Sequence, residues 1–217
     1  MTTAVYFDLD NTLLEYTASF GEITAGSLPV EPTEEMLVRY SDAVLGAITE
    51  LQSNPYERAF AAVCEEHGLD SDPSTLATRH IENEAEATRI QPAVRRLVET
   101  VSARHPTGIL TNGDGRAQRR KIEAHGLETL VDTVIVSNEF GARKPDPEIF
   151  EEAKRRLDAD EYIYIGDTFE EDIVPAREQG FGTVYVGDES RPAAPVSAAD
   201  MTELADVLLP LIETKGK

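Results

Sequence analysis

Apolar, β-branched residues recur in five short runs, each followed by polar or glycine-rich residues: Ala4–Leu9, Thr107–Leu110, Thr133–Val136, Tyr162–Ile165 and Thr183–Val186. Runs that are apolar at nearly every position predict strands buried on both faces, as in a parallel sheet. Between them the period lengthens to that of a helix. Pro92 to Arg104 carries Val94, Leu97, Val98 and Val101 at helical spacing, and Arg116 to His125 forms a second helix with Gly126 as its stop. Asp146 and Pro147 read as an N-cap followed by proline at the first helical position. That helix runs to Leu157, and Lys154, Arg155 and Arg156 in its last turn suit the helix dipole. Glu171 to Gln179, stopped by Gly180, and Met201 to Ile212 complete the set, with Arg191–Asp200 as a surface loop rich in Ala, Pro and Ser. The alternation predicts an α/β fold with a doubly wound, Rossmann-like parallel sheet.

One stretch breaks the rhythm. Between the first strand and Pro92 there is no convincing strand. Thr33 to Leu51 places Met36, Leu37, Tyr40, Val44, Ile48 and Leu51 on one helical face, and Tyr40 and Met36 read as core. Pro55 to His67, stopped by Gly68, and Pro73 to about Thr88 give two more helices. Residues 15–89 therefore read as an inserted helical cap, and residues 1–14 and 90–217 as the α/β core.

Composition narrows the function classes. The 217 residues carry 41 acidic and 20 basic side chains, a net charge of −21. Residues 15–89 alone hold fifteen acids against four arginines, a net −11. Such acidity argues against broad contact with a nucleic-acid backbone. No apolar run reaches the length of a membrane span, and the N-terminus lacks the pattern of a secretory signal. A single cysteine, Cys64, excludes an internal disulfide and reads as a small core residue. A cytoplasmic location is expected. Oligomeric state leaves no signature in the sequence.

Candidate chemistry gathers at the strand ends. The first strand leads to Asp8-Leu9-Asp10-Asn11-Thr12, and alternation along a strand sends Asp8 and Asp10 to the same side. The second leads to Thr111-Asn112-Gly113, a hydroxyl and an amide able to donate to an anion, or simply a turn. The third leads to Lys144, flanked by Pro145 and Pro147, which stiffen its backbone. The fourth leads to Gly166-Asp167-Thr168, with Asp172 further on. Ligands bind at this edge of open α/β sheets. Three or four carboxylates without His or Cys favour a hard cation such as Mg²⁺. A lysine and a threonine add charge and donors for a phosphoryl group. One aspartate is then free to attack phosphorus and its neighbour to move protons.

These four segments, in this order from residue 8 to residue 172, resemble the four motifs of the haloacid dehalogenase-like (HAD) superfamily. The helical insertion directly after the first motif resembles the branch with an α-helical C1-type cap. The resemblance implies a phosphatase acting on a small phosphorylated metabolite. Asp8 would be nucleophile and Mg²⁺ ligand. Asp10 would be general acid and base, binding Mg²⁺ through its carbonyl. Thr111, Asn112 and Lys144 would hold the phosphoryl group. Asp167 would be a metal ligand, and Asp172 would orient the metal's waters.

Within the family, a 2-haloacid dehalogenase, a phosphosugar mutase and a phosphonate hydrolase are the competing activities. Asp10 disfavours the first, because dehalogenases lack an acid two residues after the nucleophile. The third needs a cap lysine, and no lysine precedes Lys121. A non-catalytic binding protein on the same fold would be expected to lose Asp8 or Lys144. Elsewhere the residues read blandly. His67 and His125 each precede a helix-ending glycine, where a partly charged imidazole suits the dipole; His80 and His105 have no metal-ligand spacing, and Arg119-Arg120-Lys121 reads as a solvated helix face.

The acid excess matches proteins of a salt-rich cytoplasm, where a Debye length of about 3 Å at 1 M salt screens self-repulsion. Thermal melting from low to molar KCl tests this. The melting temperature is expected to rise with salt, and a flat profile contradicts the halophile reading.

Overall fold

The computed structural model describes residues 1–187, 196–198, 203–204 and 207–208. In chain order the elements are β1 (Thr3–Phe7), β2 (Glu15–Tyr16), α1 (Phe20–Ser27), α2 (Glu34–Thr49), α3 (Pro55–His67), α4 (Pro73–Glu86) and β3 (Thr88–Arg89). There follow α5 (Pro92–Ser102), β4 (Thr107–Thr111), α6 (Gly115–Ala124), β5 (Thr133–Val136), α7 (Ser137–Phe140) and α8 (Pro147–Arg156). β6 (Glu161–Gly166), α9 (Val174–Glu178), β7 (Gly182–Val186) and β8 (Ser197–Ala198) complete the order.

Six strands form one parallel sheet in the order β5-β4-β1-β6-β7-β8. β1 lies inside it, pairing Phe7 with Ile109 of β4 and with Ile165 of β6. The five predicted strands are all present, and alternate residues feed opposite faces. Val5, Phe7, Ile109, Ile163 and Ile165 pack with Val94, Leu97, Val98 and Val101 of α5. Ala4, Tyr6, Leu110 and Tyr164 pack with Ile149, Phe150 and Ala153 of α8. Both faces are covered, which is why the strands read as continuous apolar runs.

The differences are local. β1 stops at Phe7 rather than Leu9, because the Leu9 carbonyl accepts from the N–H groups of Leu13 and Leu14 and turns the chain. Asn11 sits in that turn at φ 57°, a left-handed geometry that asparagine tolerates better than most residues. Ser197–Ala198, expected in a loop, adds an edge strand to β7. The predicted helix at Glu171 opens as a π-turn over Phe169–Ile173 and becomes α-helical only at Val174. Most of the expected Met201–Ile212 helix and of the Arg191–Asp200 loop lies outside the described residues; 203–204 and 207–208 are helical.

Between β1 and α5 stand four helices, one more than expected. The extra one, α1, is closed by a reciprocal cap in which Ser19 accepts from the Glu22 N–H and the Glu22 carboxylate accepts from the Ser19 N–H. The chain leaves the core on β2 and returns on β3, and these two short strands pair antiparallel, Glu15 with Arg89. Met36, Tyr40, Val44, Tyr56, Phe60, Val63, Leu76 and Ile81 form a separate apolar core. His80 is fully buried there, with ring centroids 4.9 Å from Tyr56 and 5.2 Å from Tyr40. Ser27 donates its own proton to the Ile23 carbonyl, which leaves its Oγ to accept from the His80 Nδ1–H, while Nε2 has no partner among the described residues.

Burial holds His80 neutral and pulls its pKa down to about 4; the Glu84 charge opposes this and the Lys121 charge adds to it. The unfolded chain takes up a proton below about pH 6.5 that the folded chain refuses until near pH 4, so this contribution falls as pH falls through that window. Urea unfolding of the wild type and His80→Phe is expected to show about 2 kcal/mol more loss in the wild type on going from about pH 7.5 to about pH 5. Identical pH profiles would contradict a neutral, buried His80.

Candidate active site

The C-terminal ends of β1, β4 and β6 and the loop between α7 and α8 converge on a cavity of about 150 Å³. Its walls include every residue singled out in the four sequence segments: Asp8, Asp10, Thr111, Asn112, Lys144, Asp167 and Asp172. The Asp8 N–H continues the sheet by donating to the Ile165 carbonyl at 2.8 Å, which sets the carboxylate at the sheet edge.

Lys144 organises the charge. Its buried ammonium donates to Asp8 Oδ1 at 2.7 Å, Asp172 Oδ1 at 2.6 Å and the Tyr164 hydroxyl at 2.9 Å. An ammonium has three protons and all three are used. Tyr164 passes its own proton to the Leu110 carbonyl at 3.0 Å. Burial alone would depress the lysine pKa, but Asp172 and Asp8 outweigh it and hold the group well above its ordinary value, fully charged. Asn112 braces the loop that carries Lys144, accepting from the Lys144 N–H at 2.9 Å and donating to its carbonyl at 3.0 Å. The second acceptor of the Asn112 amide is Glu171, itself paired with Arg143.

The carboxylates outnumber this cation. Oxygen atoms of Asp8, Asp167 and Asp172 lie within 4.8 Å of one another. Burial, with the charges of Asp172 and Asp10, raises the Asp8 pKa to about 8 despite Lys144. Burial and Asp172 raise Asp167 to about 6. Asp172 reaches the cluster because residue 166 is glycine: a Cβ there would lie 2.5 Å from Asp172 Oδ2. Crowded carboxylate oxygens with surplus negative charge fit a hard divalent cation.

Asp10 behaves differently from Asp8. Its carboxylate accepts from Lys121 Nζ at 2.7 Å and Gln118 Nε2 at 2.8 Å, with the Tyr16 hydroxyl oxygen 3.1 Å away. The Lys121 ammonium is buried, not solvated as the Arg119-Arg120-Lys121 run led us to expect; Arg119 and Arg120 do lie at the surface, paired with Glu139 and Glu82. The reason is helical geometry. Ala117, Gln118, Lys121 and Ile122 share the inward face of α6, and Lys121 meets Glu84 at 3.1 Å on the inward face of α4. Burial opposes charge on Lys121, but Asp10 and Glu84 overcome it and hold the ammonium charged. Tyr16 and Tyr56 donate to the two Glu84 oxygens at 2.8 and 2.7 Å. Counting along the helices exposes this pair: Glu84 continues the stripe of Leu76, Ala77, His80 and Ile81, and Lys121 lies one turn from Ala117.

A second cavity of about 450 Å³ adjoins the first, and Asp10 and Asn112 line both. Its lining also includes the apolar and aromatic Tyr16, Phe20, Ile23, Ile48 and Tyr56, together with the polar Glu84, Gln118 and Lys121.

Comparison with known proteins gives the same outline. The chain is 26% identical over 220 residues to the glyceraldehyde 3-phosphate phosphatase of Methanothermobacter thermautotrophicus, covering 95% of this chain and 97% of that one. It is 28% identical over 199 residues to the pyrimidine 5′-nucleotidase YjjG of Escherichia coli, covering 86% and 87%. The HAD-hydrolase YfnB of Bacillus subtilis, solved bound to magnesium, shares the fold with a TM-score of 0.67 at 22% identity, over 94% of this chain and 97% of that one. The family model of haloacid dehalogenase-like hydrolases matches residues 5–186, from β1 through β7 and thus across all four convergent loops. By that match, the chain belongs to the haloacid dehalogenase-like hydrolase family.

Proposed function

We propose that this protein is a Mg²⁺-dependent phosphomonoester hydrolase acting on a small phosphorylated metabolite through an aspartyl-phosphate on Asp8. The carrying observation is the position of Asp10 on the wall common to a small, charge-crowded cavity and a larger one. The small cavity takes the phosphoryl group and the larger one the leaving alcohol. Residues 15–89 act as a cap that roofs the larger cavity, and residues 1–14 with 90–217 act as the catalytic core. Relatives named as phosphatases and as a nucleotidase support the same reaction class.

Each residue has a task. Lys144 occupies Asp8 Oδ1, leaving Oδ2 to attack phosphorus as the bond to the leaving oxygen breaks. Asp10 gives that oxygen its proton. Asp10 then takes a proton from water as the water oxygen attacks the phosphorus, releasing inorganic phosphate and restoring Asp8. Thr111 binds a phosphoryl oxygen, the Lys144 charge stabilises the group from beside Asp8, and Asn112 holds the lysine loop in register. Asp8, Asp167 and the Asp10 carbonyl would hold Mg²⁺, with Asp172 orienting its waters. When bound, the ion supplies positive charge against the carboxylates and the phosphoryl oxygens. The acid at position 10 sets this reaction apart from dehalogenation, where the leaving halide needs no proton.

Phosphate release from p-nitrophenyl phosphate tests the proposal. After EDTA treatment, activity is expected to return only with added divalent ion, Mg²⁺ foremost. Asp8→Asn keeps the side-chain shape and is expected to lower turnover about a thousandfold or more. Metal-independent turnover, or near-normal turnover by Asp8→Asn, contradicts it.

A further inference from the structure

The larger cavity contains one cation among the described residues that line it, Lys121, and that cation is already spent. Its three protons go to Asp10 Oδ1 at 2.7 Å, the Tyr16 hydroxyl at 2.9 Å and Glu84 Oε1 at 3.1 Å. The neutral donors are spent as well. Tyr16 and Tyr56 donate to Glu84, and the two protons of the Gln118 amide are shared among Asp10, Thr111 Oγ1 and the Asn112 carbonyl. What remains towards a ligand is mainly the apolar surface of Phe20, Ile23, Ile48 and the tyrosine rings. Glu84 offsets the Lys121 charge, and Asp10, which carries the proton meant for the leaving oxygen, offers no positive charge. A carboxylate or second phosphate entering there would lose its water, meet no free donor and find no unpaired positive charge.

We propose that this cavity selects phosphomonoesters whose leaving alcohol is uncharged, and that Glu84 enforces the choice by neutralising Lys121. The inference rests on the phosphatase reading above and adds the chemical class of the leaving group. Glu84 comes from α4 of the inserted helices and Lys121 from α6 of the core, so the selecting pair forms only when the two are packed together. Glu84 acts on the ligand through the lysine. Replacing it with glutamine keeps the size, removes one negative charge and leaves Lys121 with charge to offer. Replacement with aspartate keeps the charge.

Matched pairs that differ by a carboxylate are the direct test. Uridine against orotidine 5′-monophosphate and glyceraldehyde 3-phosphate against 3-phosphoglycerate are titrated as competitors of p-nitrophenyl phosphate hydrolysis. A compound that is not turned over still reports its binding in this format. The uncharged member of each pair is expected to bind about tenfold or more tightly in the wild type. Glu84→Gln is expected to shrink that ratio about fivefold or more, and Glu84→Asp to preserve it. A lesion that only loosened the fold would weaken both members alike and leave the ratio unmoved. Equal competition, preference for the carboxylate, no competition by either uncharged compound, or a ratio unchanged in Glu84→Gln overturns the proposal. No hydrolysis of p-nitrophenyl phosphate with Mg²⁺ by folded protein is a different failure: it removes the phosphatase reading, and this inference falls with it.

Discussion

One ammonium among two buried carboxylates and a third that is partly buried constrains this molecule more than any other contact. Lys144 reaches Asp8 and Asp172 at once, at 2.7 and 2.6 Å, and nothing else positive touches either of them among the described side-chain contacts. An ion pair so deeply buried contributes little net stability, yet breaking one costs several kcal/mol, on the order of 3–5. The elements around it hold it in place. The parallel sheet brings β1, β4 and β6 to one edge, Asn112 clamps the backbone of Lys144, and the glycine at 166 leaves room for Asp172. The lysine satisfies one oxygen of Asp8 and leaves the cluster negatively charged. That residue of charge is what a divalent cation and a phosphoryl group together would complete.

A second buried lysine stands behind the first and does different work. Lys121 binds no residue of the Asp8 cluster; it ties Asp10 to Glu84, and thereby the core to the inserted helices. Asp10 is thus the point where the two networks meet. Its neighbours on one side are the groups proposed to handle phosphate, and on the other an apolar chamber whose charges already cancel in part. Two buried cations divide the site by chemistry: Lys144 sits among the crowded carboxylates of the small cavity, and Lys121 is paired with Asp10 and Glu84 beside the larger, more apolar one.

Much of this could be read from the sequence. All five strands lie where apolar runs placed them, because a sheet covered on both faces demands near-continuous apolar residues. The residues of the four segments line one cavity for the same topological reason, since parallel strands deliver their following loops to a common edge. What escaped was local or long-range. The early end of β1 depends on a turn closed by the Leu9 carbonyl, which strand periodicity does not register. Helix α1 is short and begins with Phe20, which stays half-exposed, so its face carries a weak pattern. Lys121 was hidden by its neighbours: two surface arginines precede it, and a run of basic residues ordinarily faces water. Its true setting required pairing it with Glu84, 37 positions away, and two charges on the apolar stripes of separate helices make sense only together.

The most direct test of the central chemistry is acid-quench peptide mass analysis during turnover, on the wild type and on Asp10→Asn. In the proposed mechanism Asp10→Asn removes the group that activates water, so the covalent intermediate is expected to accumulate. A phosphoryl group on the peptide carrying Asp8, raised in Asp10→Asn and absent from Asp8→Asn, is the predicted result. Turnover with no phosphoryl group on that peptide in either protein, or with the label on another residue, would contradict Asp8 as the nucleophile that Lys144 prepares.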